Sequence, residues 1–233
     1  MRGIEPDPVP EYFTKGKLLH QLIARDYSIR HGLPPAYEDE VAQQFSGENL
    51  AHLLNALALH RQHAWHGVEV VGVEHPFVMQ LCADLPPVVG VIDLVLEADH
   101  ESDLRISLER SGLQSLSREG EEDRTFILVD HKTGRNFYPD DELQVAIYAR
   151  YISSAYGGQT TRLFYDHYRW VNNLGRIRKP AFQRVEVRAD PARWPRDLAR
   201  IRRAYGQICA IREGGSVLRC GECYRCPYRG MCR

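Results

Sequence analysis

A run of apolar, largely β-branched and aromatic residues near the middle of the chain ends directly in charged side chains. Residues 125–129, TFILV, are typical of a buried strand, and Asp130, His131 and Lys132 follow without a break. Because a strand alternates its side chains between two faces, Asp130 and Lys132 point to one side and His131 to the other. The pattern permits an ion pair that closes the sheet, or a metal ligand beside a catalytic cation.

A second apolar stretch, VVGVIDLVL at residues 88–96, carries Asp93 in its interior. An ionised, unpaired carboxylate in such surroundings costs several kcal/mol, so Asp93 is expected to have a strong partner. Gly90 is expected to leave room for a neighbouring backbone or a ligand. If the two strands are neighbours, Asp93 and Asp130 converge on one cation, and Mg²⁺ or Mn²⁺ suits such oxygen ligands. The alternative is a bridge from Lys132 to either acid.

The rest of the chain alternates helical and strand patterns. We expect helices at residues 14–30, 38–66, 141–155 and 192–212, and strands at residues 68–78, 88–97, 126–131, 162–170 and 185–187. In the long second helix the residues expected to face inward are Leu50, Leu53, Leu54, Leu57 and Ala58. The polar, acidic residues 99–124 predict a long hairpin with an exposed excursion. An α/β domain with a mixed central sheet flanked by helices follows.

Composition limits the class of protein. Hydrophobic residues make up 43% and charged residues 26%, which favours a globular chain. No apolar run reaches the length of a membrane span, and the start MRGIEPDPVPEY lacks the apolar segment of a signal peptide, so we expect a soluble cytoplasmic protein.

Charge is unevenly distributed along the chain. Residues 1–175 carry 15 Lys/Arg against 26 Asp/Glu, whereas residues 176–233 carry 15 Lys/Arg against 5 Asp/Glu. An arginine-rich end suits phosphate backbones, because guanidinium groups bind phosphate oxygens in pairs. A solvated helix face that balances an acidic body is an equal alternative.

Four of the six cysteines crowd the end of the chain with the spacing C-x₂-C-x₂-C-x₅-C: Cys220, Cys223, Cys226 and Cys232. In a chain without a secretion signal, such spacing favours one Zn²⁺ ion or one [4Fe–4S] cluster over disulfides. Chance clustering without a metal is a minor alternative. Cys82 and Cys209 have apolar neighbours in the sequence and are expected to be small core residues.

Four segments, in order, resemble the signature of the PD-(D/E)XK nucleases, and in particular their RecB-like branch. GVID and VDHKTG are similar to the acidic and D-x-K segments, KGKLLHQLI to the G-x-x-x-H helix, and LQVAIYARY to the Q-x-x-x-Y helix. The resemblance covers residues 14–170 and implies a restriction-endonuclease-like core. It also implies that Mg²⁺ or Mn²⁺ is bound by His20, Asp93, Asp130 and the backbone carbonyl of His131.

The activity implied by this resemblance is metal-assisted hydrolysis of phosphodiester bonds. Lys132 would position the attacking water, while Gln144 and Tyr148, four residues apart on one helix face, would lie over the active site. Glu74, on the strand before GVID, is a further candidate, since relatives often carry a glutamate there. Singly, a histidine such as His20 or a tyrosine at helical spacing is more often a packing residue.

The segment CYRCPYRGMC resembles the C-terminal cluster of the iron–sulfur RecB-like nucleases, which include AddB and the CRISPR-associated exonucleases. Those relatives usually draw one cluster cysteine from upstream of the core. Here no cysteine precedes Cys82, so Cys220 would supply the fourth ligand. The resemblance favours a [4Fe–4S] cluster, with Zn²⁺ as the alternative and a structural role in either case.

The expected function is a metal-dependent DNA nuclease, a RecB-like exonuclease that prefers single strands or ends, in DNA repair, recombination or CRISPR adaptation. Its partners would be DNA and a helicase or adaptation proteins. Strand contacts are expected from Arg200, Arg203, Tyr224, Tyr228 and Arg229. A catalytically silent DNA-binding or assembly subunit, and a zinc knuckle for protein contacts, are the alternatives. The expected regions are residues 1–66 with the histidine motif, 67–190 as nuclease core, and 191–233 as basic helix and four-cysteine tail.

Overall fold

The computed structural model of the chain describes residues 11–29, 36–99, 107–113, 125–137, 142–157 and 160–214. Within them lie the helices α1 Glu11–Ile29, α2 Ala36–Gln44, α3 Gly47–His63, α4 Glu142–Ala155 and α5 Trp194–Arg212. The strands are β1 Glu69–Met79, β2 Val88–Ala98, β3 Thr125–Gly134, β4 Thr160–Arg169 and β5 Phe182–Val187. The four-cysteine tail, with Tyr224, Tyr228 and Arg229, lies outside the described residues.

The five strands form one mixed sheet in the order β1-β2-β3-β4-β5. Strands β1, β2 and β3 form an antiparallel meander, β4 is parallel to β3, and β5 is antiparallel to β4. Helix α4 provides the crossover that a parallel pair requires. The mixed sheet flanked by helices that the sequence predicts is therefore confirmed.

Strand β3 shows how the sheet separates two apolar layers. Ile127 and Val129 belong to the cluster formed with α1, α2 and α3, whereas Phe126 and Leu128 belong to the cluster formed with α4. Helix α1 contributes the predicted stripe of Leu18, Leu19, Leu22 and Ile23, all of them buried. Each such side chain stabilises the fold by about 1.5–3 kcal/mol through burial. The alternation of β3 directs Asp130 and Lys132 toward α4.

The single helix predicted for residues 38–66 is wrong, because two helices occupy this stretch. Ser46 is the extended N-cap residue of α3, and Gly47 has a φ of +55°, a conformation that glycine adopts at little cost. The chain therefore turns between α2 and α3. Ala58, predicted to face inward, is exposed because the buried face of α3 passes through Leu53, Leu57 and His60.

The excursion between β2 and β3 is not wholly exposed, contrary to the prediction. Within residues 107–113 the side chains of Ser107 and Leu108 are buried. The hydroxyl of Ser107 accepts a hydrogen bond from the backbone N–H of His66 at 2.9 Å. Arg184 donates to the carbonyl of Ser107 at 3.2 Å and forms two bonds, of 2.6 and 2.7 Å, with the buried carboxylate of Asp166. This buried ion pair anchors the excursion to the sheet.

Two predictions about single residues are also corrected. Cys82 and Cys209 are only half-buried and are not core residues. Cys82 lies in the β1–β2 connection beside Asp84, and Cys209 lies on α5, which is exposed along most of its length. The space expected beside Gly90 is taken by the ring of Phe77 on β1, only 2.6 Å from where a Cβ atom would lie.

Candidate metal centre

Strand β2 changes its facing at Asp93. Ile92 and Leu94 are two residues apart and would share a face in a regular strand. Ile92 nevertheless packs in the α4 cluster, and Leu94 packs in the cluster with α1, α2 and α3. Asp93 therefore lies where the strand is locally irregular, at the boundary between the two layers.

Strand β1 also changes the side to which its residues point, at the position opposite Asp93. Val73 packs toward the α1 side and Phe77 toward the α4 side, although an even spacing would place them together. Between them Glu74 has a φ of +47°, which costs a residue with a side chain on the order of 1–3 kcal/mol. The pairing of Val73 with Leu94 and of His75 with Ile92 places Glu74 opposite the acid of β2.

Beyond this irregularity β2 and β3 separate, and the carboxylate of Asp93 takes the place of the backbone pairing. The antiparallel register between the strands ends at Leu94 and Val129. One step further, Oδ2 of Asp93 accepts a hydrogen bond from the backbone N–H of His131 at 2.7 Å. Burial alone would raise the pKa of Asp93, but the hydrogen bond and charge of His20, together with His131, hold it below its ordinary value. Asp93 is thus ionised and fixed in position.

Helix α1 places His20 beside the carboxylate of Asp93. A Cβ atom on Gly16 would lie 3.0 Å from Oγ1 of Thr133, so the glycine lets α1 approach the end of β3 closely. One turn later, Nδ1 of His20 lies 3.4 Å from Oδ2 of Asp93. Burial lowers the pKa of His20, but the hydrogen bond and charge of Asp93 outweigh it and leave the pKa raised.

Three side chains from three elements meet at this point. His20, Glu74 and Asp93 each offer a ligand atom, and these atoms all lie within 4.8 Å of one another. Burial and the nearby charge of Asp93 raise the pKa of Glu74. A divalent cation between the carboxylates would relieve this repulsion, and the set of two carboxylates and one imidazole suits Mn²⁺ or Mg²⁺.

Asp130, predicted to be a ligand, is not in that trio. Its Oδ2 lies 2.5 Å from Nζ of Lys132, so the ion pair that the sequence permits is present. Gln144 closes the arrangement, donating to Oδ1 of Asp130 at 2.8 Å and accepting from Lys132 at 2.9 Å. Burial and the charge of Asp93 raise the pKa of Asp130 to about 6, despite the opposing effect of Lys132.

Tyr148 connects Gln144, and through it Asp130 and Lys132, to strand β2 by hydrogen bonds. Its hydroxyl lies 2.7 Å from Nε2 of Gln144 and donates to the backbone carbonyl of Val91 on β2 at 3.0 Å. Gln144 and Tyr148 thus share one face of α4 and reach both β2 and β3. The lysine ammonium is held among oxygen acceptors at the mouth of the site.

His131 points away from Lys132 and is buried. Its ring lies between those of His20 and His60, at centroid distances of 6.1 and 6.4 Å. Neither ring nitrogen has a hydrogen-bond partner among the residues that the structure describes. Burial lowers the pKa of this imidazole to about 4. The ring is thus a neutral packing element, and only the backbone of His131 faces the proposed ligands.

One polar residue near the site was not anticipated. Lys15 is buried, its Nζ lies 2.8 Å from Oδ1 of Asn49 and 2.9 Å from Nδ1 of His52, and it stands 4.7 Å over the ring of Trp170. The only sequence indication was its position beside Gly16 in KGK. Partners 34 and 37 residues away in sequence cannot be identified from local spacing.

Helix α5 carries part of the basic end of the chain. Arg200 and Arg203 are exposed there, whereas Arg202 forms a bidentate pair with Asp84 at 2.7 and 2.9 Å. The predicted cluster ligands Cys220, Cys223, Cys226 and Cys232 lie outside the described residues. Among the helices that the structure describes, none combines the length and apolarity that crossing a bilayer requires.

Comparison with known families identifies the fold. Residues 117–233 match the model of the PD-(D/E)XK nuclease superfamily, whereas no match was found among the curated proteins. The matched region contains the D-x-K segment on β3, the Q-x-x-x-Y helix α4 and the four tail cysteines, and the ligand atoms of β1, β2 and α1 lie before it. Because the match covers half of the sequence, the chain belongs to the PD-(D/E)XK nuclease superfamily.

Proposed function

We propose that this chain is a metal-dependent nuclease whose catalytic cation is held by His20, Glu74 and Asp93. Members of its superfamily are generally nucleases that use Mg²⁺ or Mn²⁺. The observation that carries the proposal is the approach of the three ligand atoms to within 4.8 Å of one another. Asp130 and the backbone carbonyl of His131 complete the proposed ligand set, since both belong to the strand that Asp93 contacts.

Two carboxylates and one imidazole suit a metal ion that catalyses phosphodiester hydrolysis. When bound, Mg²⁺ or Mn²⁺ lowers the pKa of a coordinated water and polarises a phosphodiester oxygen. The positive φ of Glu74 is strain that the surrounding structure maintains, and such strain accompanies functional positions. Asp93 is held in place by His131, so little reorganisation would be required of it.

Lys132 is the proposed catalytic cation. Its ammonium is oriented by Asp130 and Gln144, and Gln144 is itself held by Tyr148. A lysine fixed in this way can orient an attacking water and stabilise charge that develops on the phosphate. Gln144 and Tyr148 are positioning residues in this proposal, because their contacts run through Lys132 and Asp130 rather than to a reacting atom.

The proposed substrate is DNA, as superfamily membership implies. We further propose a RecB-like exonuclease that prefers single strands or ends and works in DNA repair, recombination or CRISPR adaptation, beside a helicase or adaptation proteins. Arg200 and Arg203 on α5 are exposed and would attract the phosphate backbone. The tail cysteines would hold a [4Fe–4S] cluster, or Zn²⁺, that anchors the basic end of the chain.

The activity is tested with end-labelled single- and double-stranded DNA, and with RNA, in Mg²⁺, Mn²⁺ or EDTA. Lys132→Met removes the charge with little change in shape, and Lys17→Met, at an exposed position of α1, is the matched control. We expect metal-dependent cleavage by the wild type and by Lys17→Met, and its loss in Lys132→Met. Cleavage by none of them, from folded protein with its tail metal bound, would favour the catalytically silent DNA-binding subunit.

The tail metal is tested separately by measuring the iron and zinc content of protein purified without oxygen. We expect iron with the visible absorbance of an iron–sulfur cluster, and its loss in Cys223→Ser. Stoichiometric zinc without visible absorbance would replace the cluster with the zinc knuckle.

A further inference from the structure

Strands β1 and β2 expose four apolar side chains that form what we call the apolar strip: Pro76, Val78, Val89 and Val91. The three valines are 67%, 73% and 44% exposed, respectively, which is unusual for valine in a sheet. The four residues form two cross-strand pairs, Pro76 with Val91 and Val78 with Val89. The strip therefore consists of two adjacent apolar rungs on one face of a two-stranded ribbon.

This strip is continuous with the proposed metal centre. His75 bonds to Tyr151 of α4 and Ile92 packs in the α4 cluster, so the residues next to them in sequence, Pro76 and Val91, face the other side of the ribbon. On that side Glu74 and Asp93 meet His20 of α1. The two acids form the first rung and the strip provides the second and third. Successive rungs are about 6.8 Å apart along the strands. A nucleotide strand that starts at the acids and runs along this face of β1 and β2 meets the apolar side chains of the strip.

The packing of the ribbon does not explain why these valines are exposed. The opposite face of the ribbon is covered by Phe77, whose ring stacks on Tyr151 at 4.8 Å and contacts Tyr148 at 5.8 Å. The outer edge of β1 is a poor site for an added strand, because Pro76 lacks an N–H and the register is irregular after Val70. The exposed face, rather than the edge, is the surface available for binding.

We propose that the apolar strip binds the sugars and unpaired bases of the two nucleotides next to the phosphodiester at the metal centre. The inference rests on the proposed nuclease function and extends it to substrate selection. An uncharged surface gains nothing from phosphates, but aliphatic side chains and proline pack well against bases that are not stacked in a duplex. The strip therefore selects single-stranded over double-stranded substrate.

The two rungs make the proposal quantitative. Val78→Thr and Val89→Thr each replace one methyl group with a hydroxyl and keep the β-branched shape that suits a strand. Losing the burial of one methyl group corresponds to about a fourfold lower kcat/KM on a single-stranded oligonucleotide, and about fifteenfold for the double variant. Lengthening the substrate on this side should raise kcat/KM for two nucleotides and not for a third.

The test compares two substrates, a single-stranded oligonucleotide and the small diester bis(p-nitrophenyl) phosphate. The small diester reaches the metal centre without extending along the strip, so its hydrolysis should be unchanged in both variants. Ile177→Thr, at an exposed apolar position outside the strip, is the matched control and should leave both rates unchanged. Because the valines are exposed, the melting temperature should not fall in the double variant.

Each other outcome has a distinct meaning. Equal oligonucleotide cleavage by the wild type and the double variant would overturn the strip proposal and leave the nuclease intact. Hydrolysis of neither substrate by the wild type would contradict the proposed function itself. A lower melting temperature in the double variant, or its dissociation from a wild-type dimer, would show that residues 215–233 or a second copy cover the strip, and either result overturns the proposal.

Discussion

Replacing His131 with leucine should make the metal-free protein lose less stability in mild acid than the wild type loses. The imidazole is only 3% exposed, and neither of its nitrogens has a hydrogen-bond partner among the described residues. Burial lowers its pKa from 6.5 to about 4. Between these two values the unfolded chain binds a proton that the folded protein does not bind. The free energy of unfolding therefore decreases as the pH falls through this window.

The magnitude follows from the two pKa values. Linkage gives a loss of about 2 kcal/mol between pH 7.5 and pH 5.0 from this one side chain. Leucine fills a similar volume and cannot be protonated, and among the described residues the ring has no hydrogen bond that the change would remove. His131→Leu should therefore lose about 2 kcal/mol less stability than the wild type over the same pH range.

The measurement is urea unfolding of both proteins at pH 7.5 and pH 5.0 with EDTA present. Comparing the two pH-dependent losses cancels the contribution of every other titrating group that the substitution does not touch. Equal losses in the two proteins would contradict this prediction, because they would mean that His131 is protonated in the folded protein or finds a partner there.

Three further predictions concern packing. Gly16→Ala should weaken Mn²⁺ binding, because its methyl group would displace α1 from Thr133. When Thr133 is also replaced by alanine, calorimetry should show normal Mn²⁺ binding. Weak binding in this double variant would contradict the contact. Arg184→Met should lower the free energy of unfolding by about 3–5 kcal/mol in urea titrations, because it leaves a buried carboxylate unpaired; a loss below about 1 kcal/mol would be inconsistent with that burial. Gly90→Ala should lower the melting temperature, because its methyl group would overlap the ring of Phe77. Gly206→Ala on α5 has open space and should raise the melting temperature, because alanine favours helices more than glycine does. A change of the same sign in both melting temperatures would count against the register of β1 and β2.

The sequence predicted the helices and strands whose apolar residues recur with one regular spacing. Strand β2 extends one residue beyond its predicted end and β3 extends three, and the stripe on α1 is buried as expected. The break at Ser46 and Gly47 was missed, because helical periodicity continues across it while the backbone conformation does not. The burial of Ser107 was missed for a different reason: its partner Arg184 lies 77 residues away, and composition alone indicates solvent.

The candidate site was predictable as a set of residues and not as a geometry. Motif order identified His20 and Asp93 through resemblance, and the structure places them 3.4 Å apart. The positive φ of Glu74 could not be read from the sequence, since glutamate rarely adopts it and only the sheet around it maintains it. Likewise, strand alternation predicted that Asp130 and Lys132 share a face, but their shared contact with Gln144 depends on how α4 packs.

The proposed metal centre is tested most directly by calorimetric titration of Mn²⁺ into the purified, EDTA-treated protein at neutral pH. Glu74→Gln removes one proposed ligand charge, and Glu69→Gln, at an exposed position of the same strand, is the control. We expect one ion per chain at the metal centre, bound at least about tenfold more weakly by Glu74→Gln and equally well by Glu69→Gln. Equal affinity in all three proteins would contradict this expectation, because the ion would then be bound without Glu74.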